Sequence, residues 1–191
     1  MNTLSKIFTV LSLAALTVPA FAAPKTYAAD ANHTFPRFSY SHLGFSTQQS
    51  RFNKTTAEIM LDQEAKQASL NVTIDMKSVD TGSTMFNEHI QGADFFDTAK
   101  FPTATFKSTK VTFDGAKPVS VEGKLTIKGV TRPATLTVTS FQAMPHPMLK
   151  KDAIGANAYT VVKRSDFGAG AYAPAVSDDV RIDIAIEAIA Q

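Results

Sequence analysis

Apolar and polar residues alternate along most of this chain. From Ser69 to Met76, Leu70, Val72, Ile74 and Met76 share one face, while Asn71, Thr73 and Asp75 share the other. The stretch from Val119 to Ile127 repeats this design, as does Val180–Glu187. A period of two marks β-strands with one apolar and one wet face. The pattern predicts eight strands, at 34–46, 55–62, 68–77, 104–113, 119–128, 134–142, 154–163 and 179–189. Asn53-Lys54, Asp114-Gly115 and Lys128-Gly129 read as turns between antiparallel neighbours. Pro36 interrupts the first strand, which should begin with a bulge or lie at an edge. Eight short-linked strands fit a sandwich or a closed barrel, and a barrel leaves no sheet edge exposed.

One stretch departs from this rhythm. Over Ser83–Ala99, Met85, Phe86, His89, Ile90 and Ala93 recur at helical spacing, and Pro102 stops any helix. The aromatics Phe95, Phe96 and Phe101 should dock that helix on the sheet or plug one end of a barrel. Two long connections, Gln142–Asp152 and Gly168–Asp178, are either binding loops or ordinary surface loops.

The N-terminus follows a different logic. Lys6 precedes an apolar run from Ile7 to Val18, and Pro19-Ala20-Phe21-Ala22 ends in small residues. These are the parts of a secretory signal peptide. The run is shorter than the ~20 residues that span a bilayer. Residues 1–22 are therefore expected to be removed after Ala22 or Ala23, leaving 23–191 as one soluble exported domain in the periplasm.

The chain has no cysteine, which excludes disulfides, thiolate chemistry and cysteine-bound metals. Its 19 basic and 17 acidic residues give a formal charge of +2, dispersed along the sequence, so nucleic acid is not an expected partner. No nucleophile elbow, P-loop or zinc-protease motif is present. His33, His42, His89 and His146 lack metal-site spacing. Met144, His146 and Met148 offer copper-type ligands, but they equally make an ordinary apolar loop. The Asp94/Asp97 and Asp178/Asp179 pairs have no partner base or nucleophile nearby in sequence and read as structural. Neither a catalytic residue nor a metal site is expected.

Several segments together resemble the YceI-like family of exported proteins. They are His33–Phe38 with His42-Leu43-Gly44, Ser78-Val79-Asp80-Thr81-Gly82, Glu88-His89-Ile90, Ala93–Pro102 and Thr105–Thr109. Val121–Pro133 is the most specific block, and Arg164–Gly168 completes the set. The chain departs from the family pattern at Gln49-Ser50-Arg51-Phe52 and Asn87-Glu88. The resemblance implies an eight-stranded antiparallel lipocalin-like β-barrel with one or two short helices. It also implies binding of a long isoprenoid lipid, such as the tail of a ubiquinone-like quinone, without enzymatic activity or a required cofactor. A transient membrane contact and a homodimer are compatible with such a role.

Physical chemistry suits this reading. Each CH₂ buried from water is worth about 0.8 kcal/mol, so a lipid tail needs a lined tunnel rather than reactive groups. The expected lining comprises Phe38, Tyr40, Ile59, Leu61, Val72, Ile74 and Phe106. On the later strands it comprises Val121, Leu125, Leu136, Val138, Tyr159, Ile182 and Ile184. The same residues would equally fill a solid core; the family resemblance is what favours a tunnel. Gly123, in mid-strand, lets something approach the backbone or lets the strand bend. Arg132, Arg164 and Asp166 near strand ends could meet a head group or pair at the surface. The competing functions are a lipid-modifying enzyme and an interaction or stress protein with a filled barrel.

Overall fold

The computed structural model describes residues 24–191, and the predicted export signal lies outside them. The first strands are β1 (Lys25–Ala29), β2 (Phe35–His42), β3 (Ser46–Phe52), β4 (Thr55–Asp62), β5 (Gln67–Asp75) and β6 (Val79–Asp80). Next come α1 (Thr84–Ile90), β7 (Thr103–Asp114), β8 (Lys117–Ile127), β9 (Val130–Pro145), β10 (Asp152–Lys163) and β11 (Asp179–Ala190). These segments build a closed eight-stranded antiparallel barrel. β1 and β2 make one broken strand, β3 and β4 the next, and β5 and β6 a third. Each then pairs with its sequence neighbour around the ring.

The ring closes between the first and last strands. Tyr27 of β1 lies opposite Ala190, and Phe38 of β2 lies opposite Ile182. Between β1 and β2 the chain bulges, as Pro36 led us to expect. Asp30 N–H donates to Glu187 O at 2.8 Å, and His33 N–H turns back to Asp30 O at 3.1 Å. The proline has no N–H to add to the ladder.

Three strands, β1, β3 and β6, were missed in the sequence. The predicted strand 34–46 ends at His42, and a tight turn through Leu43-Gly44 starts β3, whose Thr47, Gln48 and Gln49 show no apolar alternation. β1 has five residues and β6 only two, too few to show a clear alternation. Asn53-Lys54 is a kink within a strand rather than a hairpin turn. Asn53 N–H and Lys54 N–H both donate to Ser78, at its carbonyl and its hydroxyl, at 3.0 Å each. The other two turns form as expected. Lys128 and Gly129 both have positive φ, 51° and 74°, as a two-residue hairpin requires.

The predicted helix is shorter than its periodicity suggested. α1 is capped by Ser83, whose hydroxyl accepts from Phe86 N–H at 3.4 Å, and it ends at Ile90. Gly92 then starts a series of turns in which Phe96 N–H reaches Ile90 O and Asp97 N–H reaches Gly92 O, at 3.1 and 2.9 Å. This compact knot swings Phe95 and Phe96 over one end of the barrel. No helix among the described residues is long and apolar enough to cross a membrane.

Strand direction alternates, so the β2–β3 turn, the α1 segment, the Lys128-Gly129 turn and the loop 168–178 share one end. That end is called the helix end below. The start of β1, the C-terminus and the loop 146–151 lie at the other, far end, where Gln191 N–H donates to Thr26 O at 3.0 Å. Three apolar clusters run down the interior: Phe38, Phe52, Met76 and Ile90 beneath the helix, Phe106, Val121, Leu125 and Leu136 in the middle, and Tyr27, Leu61 and Ile154 at the far end. Yet no large side chain among the described residues is completely enclosed. In a close-packed interior some would be.

Candidate functional site

The inward faces enclose a cavity of about 670 Å³. Ligand pockets commonly measure roughly 300–1,000 Å³. Every residue of the expected lining borders it except Tyr159. The interior is therefore hollow at its centre. Val72, Val138, Ala158 and Ile184 point inward yet stay only half-buried, because the space they face holds no protein atoms.

Tyr159 corrects the expectation. Along β10 the inward positions are Ala156, Ala158, Thr160 and Val162, so the strand period places Tyr159 on the outer wall. There the Arg181 guanidinium stacks over its ring at 4.1 Å. β10 is rich in small residues on both faces, and the aromatic ring drew the sequence assignment to the wrong one. Gly123 is resolved too. A Cβ there would lie 2.3 Å from Phe106 Cζ and 2.6 Å from Lys107 O, so the group that approaches this backbone is the Phe106 ring.

Apart from Arg37, the lining residues exposed to solvent are His42, Leu43, His89, Tyr172, Ala173 and Ala175. All belong to the helix end, which is where the cavity opens. The far end is stoppered by Leu61, Phe141 and Ile154. Around the mouth the aromatics form a chain. His89 stacks on Phe86 at 5.8 Å and lies tilted against Phe95 at 5.0 Å, and Phe95 meets Tyr172 at 6.1 Å. Deeper in, Phe96 packs edge-on to Phe38 at 6.0 Å. Sequence reasoning assigned no role at the site to His42, His89 or Tyr172, and read Phe95 only as docking the helix or plugging a barrel end. The signal available was the aromatic run after α1 together with the length of the loop 168–178.

The polar groups just inside the mouth are few. Burial raises the Tyr40 phenol above its usual range, against a smaller opposing pull from Arg164. Arg164 also lines the cavity, and burial lowers its guanidinium's pKa. Its donors are already engaged with backbone carbonyls of Ala169, Ala171, Val176 and Ser177 at 2.6–2.8 Å. Arg164 is thus the anchor of the loop 168–178. Arg132 and Asp166 are exposed, border no part of the cavity and do not meet Arg164. The three predicted head-group residues therefore form no common site.

The remaining candidates have structural work. His146 Nδ1 accepts from the backbone N–H groups of Met148 and Leu149 at 3.2 and 3.1 Å, closing the far-end loop. Asp178 accepts from Ser165 N–H and Oγ at 2.8 and 2.7 Å, bonds that hold its carboxyl below the usual range. Asp97 pairs with Lys100 at 3.4 Å, and Asp94 is exposed; none of these carboxylates borders the cavity. Asn87, at a departure from the family pattern, accepts from Thr81 N–H and Oγ1 at 2.8 Å each and braces the approach to α1.

A closed up-and-down antiparallel barrel, stoppered at one end and open at the other onto an apolar interior, defines a lipocalin-like binding protein. The YceI-like domain model matches residues 27–188. The chain belongs to the YceI-like family. It is 34% identical to the YceI protein of Salmonella arizonae over 185 residues, 96% of each chain. The crystal structure of Burkholderia cenocepacia BcnA matches with a TM-score of 0.70 at 27% identity, covering 83% of this chain and 98% of that one. A polyisoprenoid binding domain from Saccharophagus degradans shares the fold, with a TM-score of 0.65 at 21% identity over 86% of this chain and 98% of that one.

Proposed function

We propose that this protein is exported to the periplasm and there holds one long isoprenoid lipid, such as a quinone tail, inside its barrel. The carrying observation is the hollow apolar interior of about 670 Å³, open at the helix end. Several prenyl units at about 0.8 kcal/mol per buried CH₂ supply ample gross binding energy, even after the cost of ordering the chain. The Tyr40 hydroxyl, inside the mouth, suits a polar head group that stays near solvent while the tail goes down. The polyisoprenoid-binding domain of the same fold supports the ligand class. Transport, storage and stress protection all follow from shielding such a lipid from water.

Native mass spectrometry of protein purified from a membrane-bearing host tests this reading. The expected spectrum contains an adduct of isoprenoid mass, and delipidated protein takes up quinone in vitro. Protein that neither carries a lipid nor takes one up overturns the proposal.

A further inference from the structure

The helix end carries an exposed apolar surface around the cavity mouth. Phe45 is 89% exposed, Met85 79%, Tyr172 64% and Leu43 51%. They sit on separate projections: the β2–β3 turn, the first turn of α1 and the loop 168–178. These projections are held as one rim. Leu43 N–H donates to Ala175 O at 2.8 Å, and Ser177 N–H donates to Ser41 O at 2.9 Å. Lys128 Nζ donates to Ala93 O and Gly168 O at 2.7 and 2.8 Å, tying the segment after α1 to the loop.

Two features separate this rim from scattered surface residues. First, its tips carry no charge: residues 43–50, 81–87 and 167–177 contain no Lys, Arg, Asp or Glu. The exposed apolar residues of the far end, Met148 and Leu149, instead adjoin Lys150, Lys151 and Asp152. Second, Leu43 and Tyr172 take positive φ, 53° and 63°. Bulky residues rarely adopt this conformation, and both side chains are more than half exposed. Leu43 and Tyr172 also border the cavity, so the apolar surface runs unbroken from the rim to the interior.

We infer that this rim is a membrane-docking surface: Leu43, Phe45, Met85 and Tyr172 enter the interfacial layer of a lipid bilayer and set the cavity mouth against it. The inference rests on the proposed lipid cargo, because a cargo insoluble in water must enter and leave through a mouth that water does not separate from the bilayer. Uncharged tips with aromatic side chains suit the interfacial layer, which favours Tyr and other amphipathic rings and penalises charge. Because the tips are uncharged, the attachment is apolar and survives high salt.

The chain has no tryptophan, so a single introduced one reports its own site. Phe45→Trp marks the rim and Met148→Trp marks the far end. Both variants are mixed with phosphatidylethanolamine–phosphatidylglycerol vesicles, with and without brominated acyl chains. The expected result is a blue shift and quenching for Phe45→Trp alone, persisting in about 0.5 M salt, where surface electrostatics are screened. The double variant Phe45→Asp/Met85→Asp, at two tips that border no part of the cavity, should co-float with vesicles at least about tenfold less than the parent protein. Quenching at neither site, equal quenching at both, or loss of binding in salt overturns the inference. So does a dimer by sedimentation in lipid-free buffer together with a Phe45→Trp shift, which would assign the rim to a second copy. Native mass spectra of the double variant keep the two readings apart. Retained lipid or uptake of geranylgeraniol alongside failed docking leaves the cavity reading standing. Absence of lipid in both parent and variant removes the cargo on which the docking rests.

Discussion

Replacing Ala158 by Phe tests whether the interior is a binding space or a core. Ala158 lies on β10 between Ile184 of β11 and Val138 of β9, and all three border the cavity. Its half-exposed state arises from the cavity, since its side chain points inward. A phenyl ring there would fill empty space rather than displace neighbours. Burying it should stabilise the lipid-free protein by about 1.5–3 kcal/mol. At about 2–4 °C per kcal/mol for a domain of this size, the thermal midpoint should rise by several degrees. The same ring should exclude about one prenyl unit. That removes about five CH₂ equivalents at about 0.8 kcal/mol each, or about 4 kcal/mol. Affinity should then fall about a thousandfold. Calorimetric melting of delipidated protein and native mass spectrometry of bound lipid read the two effects. In a filled core the substitution would overpack and cost about 1–3 kcal/mol. A lowered midpoint with unchanged lipid occupancy would therefore refute the hollow-barrel reasoning.

Other perturbations probe the scaffold. Thr55 Oγ1 is the one buried side-chain polar atom without a partner among the described residues; Thr55→Val should raise stability by about 1 kcal/mol in urea titration, because an unsatisfied hydroxyl is costly. Gly123→Ala would drive a Cβ to 2.6 Å from Lys107 O, and the melting midpoint should report a loss of about 1–3 kcal/mol. Arg164→Met strands the four carbonyls that its guanidinium holds; the expected loss is about 2 kcal/mol or more, with new proteolytic cleavage within 168–178. The Asp30 carboxylate, 2.6 Å away, raises the His33 imidazole above its ordinary value, and its own carboxyl is lowered in turn. The His33 contribution is thus complete below the ordinary imidazole pKa of about 6.5 and is lost as pH rises through the raised value. Melting midpoints measured from mildly acidic to mildly alkaline pH should fall, and His33→Asn should flatten that slope.

The parts of the barrel that could be read in advance are those where one face is apolar and the other wet. On β7, β8 and β11 the residues assigned inward, Phe106, Val121, Leu125, Ile182 and Ile184, border the cavity, although a bulge leaves Val119 exposed and puts Pro118 inside. The rule fails where neighbours do the specifying. β3 is polar along Thr47-Gln48-Gln49 and is a strand because β2 and β6 flank it. Tyr159 was misassigned because β10 carries small or apolar residues on both faces, so hydrophobicity could not choose its inner face. α1 was overextended because Phe95 and Phe96 keep a helical spacing while serving as a lid. Whether the inward faces met or stood apart was never a local property. It depends on the circumference of the closed ring, which no segment encodes by itself. The mouth was similarly hidden, since its residues come from connections distant in sequence.

The pairing of β1 and β2 with β11 has a consequence for how the chain comes to be folded. The barrel's seam joins its earliest strand to its latest, so the ring stays open until the C-terminal residues are in place. A chain synthesised N-terminus first would hold a curled but unsealed sheet, with its lining facing water, until its last strand is made. Closure across nearly the whole sequence is an entropically slow step. The seam thus delays the native state until the whole barrel sequence is available to close it.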